Sequence, residues 1–297
     1  MSVIICTRNR FEDFKKTLPS IMMQTRLPDE LIVVDSSDTQ RIETYLDSIS
    51  FPFPVRYFHT QPGLTLQRNH GIRESTGDLI FFFDDDVELD ANYLAEAEKV
   101  FASDMNRKIG AVGGQVVNPY GNQMLTFRLR FELVVFGFFR CFFGLVGSGN
   151  GRFRFSGMPT HLPVLEYSKY FECLSGCCMA FRREVFEKAA FDESLALYGL
   201  MEDVDISKQT LDAGYKICYQ ATARLVHNES PTNRLDRQRW AEMTVTNYNY
   251  LFRKNWARDW FRWPFYYWAL LGLIVINLHN RDALRGTLSG IKKLRQG

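Results

Sequence analysis

The chain has 297 residues, 46% of them hydrophobic, and a formal charge of +2 at pH 7. That apolar share supplies the core of one large α/β domain, or of a domain with an appendage, and excludes a disordered chain. The small net charge does not by itself suggest a nucleic-acid binder, yet its distribution is uneven. From Arg253 onward, Arg253, Lys254, Arg258, Arg262, Arg281, Arg285, Lys292, Lys293 and Arg295 face only Asp259 and Asp282.

The opening Met1-Ser2-Val3-Ile4-Ile5 lacks a charged region before its apolar residues and turns polar at Thr7, unlike a signal peptide. Six cysteines (Cys6, Cys141, Cys173, Cys177, Cys178 and Cys218) lie in or beside apolar segments without Cys-x-x-Cys pairs. They read as reduced, buried small hydrophobes, which sets the expectation of a cytosolic protein. Ser2 to Cys6 is a short apolar strand, followed by the loop Thr7-Arg8-Asn9-Arg10 and a helical pattern at Phe11, Phe14, Leu18, Ile21 and Met22. Leu31 to Val34 is a second buried strand ending in Asp35-Ser36-Ser37-Asp38; Arg41 to Ile49 is helix-like and Val55 to Phe58 a third strand. Strand and helix alternate as a parallel sheet requires.

Gly63 to Thr76 is polar and basic, with Arg68, Asn69, His70 and Arg73, and has Leu64, Leu66 and Ile72 at loose helical spacing. It leads into Leu79-Ile80-Phe81-Phe82-Phe83-Asp84-Asp85-Asp86, five apolar residues running into three carboxylates. So short an apolar run, rich in Phe and Ile, is a central strand buried on both faces, with the acids at its carboxyl end. In an open α/β sheet that end borders the ligand crevice. Clustered carboxylates there repel one another unless a cation or proton compensates, and a divalent metal is the natural cation. The bland alternative is N-capping of a helix, which accounts for one or two of the three acids.

Beyond the acids, Tyr93 to Phe101 is a helix and Ile109 to Val117 a strand containing Gly113-Gly114. Phe127 to Val146 mixes Phe, Leu and Val with Arg128, Arg130, Glu132 and Arg140; it fits an interfacial amphipathic helix better than a bilayer span. Gly147 to Gly157 is a Gly- and Arg-rich loop, Leu174 to Phe181 another strand, and Arg182 to Lys188 the start of a helix. In Gly199-Leu200-Met201-Glu202-Asp203-Val204-Asp205 acids open a helix that Gly214 ends. Tyr215 to Tyr219 and Ala223 to Val226 are strand-like, and the second delivers His227 into a polar loop ending in Pro231. Trp263 to Leu278 is apolar and aromatic between Arg262 and Arg281. As a helix of about 16 residues it covers roughly 24 Å, short of a hydrocarbon core of about 30 Å. With Trp, Tyr and Arg at its flanks it reads as a membrane-surface or shallowly inserted anchor, and the basic tail favours anionic lipid.

The residues therefore offer an Asp-x-Asp at a strand end, an acidic pair at a helix start and a His at a later strand end, able to converge in one crevice. A Mg²⁺ or Mn²⁺ ion held by few carboxylates and completed by substrate phosphates is the usual arrangement for nucleotide chemistry. The pattern resembles the inverting family 2 glycosyltransferases. The matching stretches are Val3-Ile4-Ile5-Cys6-Thr7-Arg8-Asn9-Arg10, Glu30-Leu31-Ile32-Val33-Val34-Asp35, Gln67-Arg68-Asn69-His70-Gly71-Ile72 and Gly77-Asp78-Leu79 to Asp86. They continue through Ser175-Gly176 to Arg182-Arg183, Phe191-Asp192-Glu193 to Glu202-Asp203-Val204-Asp205, Gly214-Tyr215-Lys216 and His227.

That resemblance implies the α/β GT-A fold, a Rossmann-like mixed sheet flanked by helices; the helical membrane-associating extension at the C-terminus is read from the apolar and basic residues beyond it. It implies a catalytic domain over 1–235, with a nucleotide-sugar half 1–117, an insertion 118–160 and an acceptor half 161–235, then a basic helical region 236–297. Asp35 is expected to read the donor's base, Thr7 and Arg8 to line its pocket, and Arg68, Asp84 and Asp85 to sit on the nucleotide side. Asp86, Asp84 and His227 are the expected metal ligands. Asp203 is the expected acceptor-side base, with Glu202 holding it or contacting the acceptor, and the two assignments are open to exchange. The implied partners are a nucleoside-diphosphate sugar, uridine by default, and a saccharide or lipid-linked acceptor, at the cytoplasmic face of the inner membrane. Asp236-Arg237-Gln238-Arg239-Trp240 departs from the processive Gln-x-x-Arg-Trp pattern, so single-sugar transfer is preferred over polymerisation.

Two other classes fit part of the pattern. Asp84-Asp85-Asp86-Val87 satisfies the Asp-x-Asp-x-Val of haloacid-dehalogenase-type phosphatases, whose nucleophile is expected on the first strand, whereas several strands come earlier here. A non-catalytic nucleotide-sugar sensor or membrane scaffold would keep the fold without the base.

Overall fold

The computed structural model describes residues 1–117, 137–145, 151–160, 165–230, 232 and 234–295. The chain divides into two compact units, Met1–Asn122 with Val164–Arg234, and Gln123–Pro163 with Leu235–Gly297.

In the first unit β1 (Ser2–Thr7), β2 (Glu30–Asp35), β3 (Val55–His59) and β4 (Leu79–Phe83) form a parallel array in the order β3-β2-β1-β4. Helices α1 (Phe11–Met22), α2 (Arg41–Asp47) and α3 (Leu64–Glu74) connect them. Successive side chains of a strand point to opposite faces, and this is why continuous apolar runs suit these positions. Phe81 and Phe83 pack in one core cluster with Val3, Ile5, Leu31 and Val33. Ile80 and Phe82 pack in the other with Ile4, Ile32 and Val34.

The sheet continues through β8 (Cys178–Arg182), β6 (Ile109–Val116), β9 (Lys216–His227) and β5 (Val87–Leu89), with β7 (Lys169–Phe171) beside β9; α4 (Tyr93–Ser103) precedes β6. Here the sheet becomes mixed, as expected, because β8 runs antiparallel to both β4 and β6. An apolar run carries no direction of its own, and the long excursion between β6 and β8 lets the chain return from either side. Two expected strands over 215–226 are one continuous strand, and the helix expected from Arg182 is a 3₁₀ turn, Arg183–Glu187. Acids open α5 (Glu202–Asp212) as anticipated. Gly114 is required where it stands, since a Cβ there would overlap the Tyr93 ring.

Glu30 fastens the corner where β1, β2 and the α3–β4 connection meet. Its carboxylate accepts hydrogen bonds from Ser2 Oγ (2.6 Å), Thr76 N (2.6 Å), Thr76 Oγ1 (2.8 Å) and Arg56 (2.7 Å). Burial raises its pKa, but those donors outweigh it and bring the group down to about 2. A depressed carboxyl stabilises the fold fully above its unfolded-state pKa of about 4.3, and the contribution fades as pH falls toward 2. Glu30→Gln should therefore destabilise the protein at pH 7 and flatten the stability decline between those limits; a urea titration series at several pH values measures it.

The second unit holds α6 (Arg237–Asn255), α7 (Trp263–Asn277) and α8 (Arg281–Leu294). Asp236 caps α6 by accepting from Arg239 N, and Asn280 caps α8 by accepting from Ala283 N. Gly286 and Gly290 let α8 approach α6 closely: a Cβ on Gly286 would overlap the Gln238 carbonyl, and one on Gly290 would press on Val245. Tyr248 of α6 is buried and donates to Ser156 O at 2.6 Å. Of the interfacial helix expected over Phe127 to Val146, residues 127–136 and 146 lie outside the described residues, and 137–142 are helical. Of the expected Gly147–Gly157 loop, 147–150 also lie outside, as does Pro231.

Candidate active site

The carboxyl end of β4 delivers Asp84, and the chain turns at once into β5, which pairs with the end of β9 so that Val87 lies opposite His227. The i, i+2 pair Asp84 and Asp86 thereby meets an imidazole from a strand formed about 140 residues later. One ligand atom from each of Asp84, Asp86 and His227 lies within 4.8 Å of the others. His227 Nε2 is 3.0 Å from Asp86 Oδ1 and 4.0 Å from Asp84 Oδ2. Ser230 N donates to Asp86 Oδ2 at 2.8 Å, and Arg10 Nη1 stands 3.6 Å from the same oxygen. Asp84 keeps 31% of its side chain exposed, which leaves an edge for a ligand.

Electrostatics at this cluster are strongly coupled. Burial pushes Asp84 upward, opposed by Arg68 and reinforced by the Asp86 charge. At Asp86 burial acts upward too, but the His227 contact and the Ser230 N–H hold the group below the usual carboxylate range. Burial lowers the His227 pKa, yet the bond to Asp86 overrides it and carries the ring to about 11. A metal-free cluster is thus compensated by a proton on His227. Two carboxylates and an imidazole form a donor set for a divalent cation, whose entry would displace that proton, so the residues present fit Mn²⁺ or Mg²⁺.

On the other side of Asp84 stands Arg68 of α3, almost wholly buried. Its Nη2 contacts Asp84 Oδ1 at 3.3 Å and donates to Gly176 O at 2.8 Å, while Nη1 pairs with Glu202 Oε1. Glu202 and Asp203 begin α5, entered through a left-handed backbone at Leu197, Gly199 and Met201. A non-glycine residue in that region stores strain of order 1–3 kcal/mol, a cost concentrated at functional sites. Asp203 Oδ2 accepts from Gly176 N at 3.1 Å and Oδ1 from Val204 N at 2.9 Å. Burial raises both acids, Glu202 to about 8 despite Arg68. Glu202 is buried and its Oε2 has no hydrogen-bond partner among the described residues. One guanidinium thus links the Asp84 cluster to the acid pair at the start of α5. Removing it strands Glu202 as a buried carboxylate and leaves half-buried Asp84 without its cation, and breaking a buried pair in this way typically costs about 3–5 kcal/mol. Arg68→Met should lose about that much stability in metal-free buffer, read by urea unfolding, with Arg68→Lys losing less.

The remaining expected residues sit differently. Thr7 is buried and donates to Asp85 Oδ2 at 2.7 Å; Asp85 Oδ1 contacts Arg10 at 3.1 Å. Asp85 is thus engaged with β1 and its loop, and burial raises it to about 7. Arg8 is exposed. Asp35 is fully buried, accepting from Ser37 N (2.8 Å), Ser37 Oγ (2.5 Å) and Tyr57 OH (3.1 Å), so it shapes the β2 loop. Asn9, at φ 54°, ties the first loop to the second by donating from N to Ser37 Oγ and from Nδ2 to Asp38. Arg10 and the Ser230 N–H are the contributors that sequence reasoning missed. Arg10, immediately before α1, was visible as a cation, but nothing in the pattern says which acid it meets.

The mixed α/β sheet, with acids gathered at the carboxyl ends of its parallel strands, has the GT-A class of fold that solved structures share. The mannosyltransferase PcManGT of Pyrobaculum calidifontis, solved with GDP-Man and Mn²⁺, shares that fold at a TM-score of 0.57 and 18% identity, covering 100% of this chain and 75% of that one. The family described as Glycosyl transferase family 2 matches residues 2–189, and the chain belongs to it. Similar curated proteins include the O-antigen biosynthesis protein RfbC of Myxococcus xanthus, 25% identical over 248 residues, which are 80% of this chain and 18% of RfbC. The O-antigen chain rhamnosyltransferase WbaN of Salmonella anatum is 28% identical over 232 residues, 75% of this chain and 64% of WbaN. The chain thus spans less than two thirds of either relative. Family membership sets aside the phosphatase reading, and the acids directly follow the fourth strand in chain order.

Proposed function

We propose that the chain moves one sugar from a nucleoside-diphosphate sugar to a hydroxyl of a saccharide or lipid-linked saccharide, in a single metal-dependent displacement that inverts the anomeric carbon. The observation that carries this reading is the Asp84–Asp86–His227 cluster, joined through Arg68 to Glu202 and Asp203. In this reading residues 1–235 are catalytic, with 1–117 serving the donor and 161–235 the acceptor. Asp35, through the loop it shapes with Ser37, forms the base pocket beside Thr7 and Arg8. Uridine is the default base, with thymidine and guanosine the others to try.

Asp84, Asp86 and His227 would hold Mn²⁺ or Mg²⁺, which when bound neutralises the charge of the departing diphosphate. Arg68 adds fixed positive charge on the same side. Asp203, oriented by the Gly176 and Val204 N–H groups, accepts the acceptor hydroxyl's proton as that oxygen attacks. Glu202, held by Arg68, keeps α5 in place and contacts the acceptor. Asp236 stands where the processive Gln-x-x-Arg-Trp pattern places its Gln, which favours one transfer per encounter. The relatives named for O-antigen work support a polysaccharide or glycolipid acceptor, and PcManGT's Mn²⁺ supports the metal. A setting at the cytoplasmic face of the inner membrane agrees with this acceptor class.

The test is a panel of uridine-, thymidine- and guanosine-diphosphate sugars with Mn²⁺, Mg²⁺ or chelator, following nucleotide release and the anomeric configuration of the product by NMR. Metal-dependent release from one donor with an inverted product is expected. Retention of configuration, or turnover indifferent to chelator, would overturn the reading.

A further inference from the structure

The second unit carries an exposed face that the transfer chemistry does not use. Tyr266, Ala269, Gly272 and Leu273 are the buried side of α7, yet the opposite side is apolar as well. Pro264, Tyr267, Trp268, Leu271 and Val275, with Leu278 just beyond the helix, recur at helical spacing on that side. Tyr267 is 59% exposed, Trp268 40% and Leu278 62%. The aromatic surface extends past the helix. Trp268 packs edge-on against Phe142, with centroids 5.3 Å apart, and donates from Nε1 to Phe142 O at 2.9 Å; Phe142 stacks on Phe138, itself 66% exposed. A soluble surface scatters single apolar residues, whereas a contiguous exposed patch marks an interaction site.

Immediately after it, α8 turns a charged face outward. Arg281, Arg285, Leu288 and Lys292, with Arg295 at the C-cap, are all exposed and fall within one narrow strip, flanked by exposed Asp282 whose Oδ1 is 4.0 Å from Arg285 Nη1, while Gly286, Thr287 and Gly290 face inward. Four cations with an apolar residue among them, following a stripe of Trp, Tyr and Leu, is the pattern of a segment seated at a lipid headgroup layer. No described helix is long and apolar enough to cross a membrane, so such a segment lies along the surface.

We propose that α7 and α8 form a docking face for an anionic bilayer, with Trp268, Leu271 and their aromatic neighbours entering the headgroup layer and the α8 cations meeting acidic lipid. The inference is independent of the transferase reading, because the contact needs neither donor nor cation. Each cation near an acidic surface contributes about a fivefold gain in partitioning, and the gain is screened by salt.

Sedimentation of the full chain with vesicles tests it, comparing phosphatidylcholine alone with phosphatidylcholine containing about 30% phosphatidylglycerol, an anionic lipid of the kind the cationic face selects. Binding to the acidic vesicles is expected, strongly reduced on neutral ones and by high salt. Arg285→Gln/Lys292→Gln/Arg295→Gln should weaken it on the order of 100-fold, with thermal unfolding unchanged since all three side chains are exposed. Trp268→Ser/Leu271→Ser should weaken it as well. If that apolar pair changes the folding, the salt dependence of the unaltered chain decides alone. Absence of binding to acidic vesicles, or binding indifferent to the charge variant and to salt, overturns the proposal. So does sedimentation-velocity evidence of a dimer dispersed by the Trp268 pair without any vesicle binding, which would assign the face to a second copy.

Discussion

Asp86→Asn is expected to leave the protein folded and to remove metal-dependent nucleotide release, lowering affinity for Mn²⁺ by on the order of 100-fold or more; outer contacts to metal ligands alone cost 10–100-fold. Asn is the informative replacement. Its amide oxygen can still accept from Ser230 N, whereas Ala would orphan that buried N–H at about 1–3 kcal/mol and confuse folding with binding. The variant also deprives His227 of the negative partner 3.0 Å away that holds its ring protonated. The ring's pKa should fall toward the ordinary histidine value, visible in NMR titration of metal-free protein. Normal Mn²⁺ affinity and turnover in Asp86→Asn would remove Asp86 from the ligand set.

Asp203→Asn should lower kcat by on the order of 10² to 10⁴, the usual worth of a general base, with nucleotide and metal binding unchanged. The sign of the pH effect follows from burial. The base acts only when deprotonated, and burial lifts the Asp203 carboxyl above its ordinary range, opposed by the Val204 N–H, Arg68 and the Gly176 N–H. The rate therefore falls as pH drops through that raised pKa, at a higher pH than an exposed aspartate would give. Glu202, carried to about 8 by burial, feels the Asp203 charge, so the two protonations are coupled and the limb belongs to the pair. In Asp203→Asn the residual rate should lose that limb. A stopped-assay profile from pH 5 to 9, taken in the presence of saturating metal, distinguishes these outcomes, and an unchanged kcat would remove Asp203 from the base role.

Much of this arrangement can be read from residues because apolar runs end where the chemistry begins. Phe83 gives way to Asp84, Val34 to Asp35 and Val226 to His227, and the carboxyl ends of strands are where open α/β sheets bind ligands. The helix opened by Glu202 was equally visible, from acids standing ahead of Val204 and Ile206. Direction was not: nothing in Cys178–Arg182 distinguishes an antiparallel strand from a parallel one, and both faces of it are buried either way. Partner choice was also hidden. Asp85 is the same residue type as Asp84 and Asp86 on either side of it, yet the alternation at the strand end aims it at Thr7 and Arg10. Arg68 reads as a helix cation near the nucleotide, whereas its burial and its link between Asp84 and Glu202 depend on where α5 docks, a contact spanning more than a hundred residues.

Calorimetric titration of the purified chain with uridine, thymidine and guanosine diphosphates, in Mn²⁺, in Mg²⁺ and in chelator, goes to the centre of the matter. One diphosphate should bind tightly with metal, lose its affinity in chelator, and fail to bind Asp86→Asn under either condition. Tight binding that survives both chelator and Asp86→Asn would contradict a metal-held diphosphate at Asp84, Asp86 and His227.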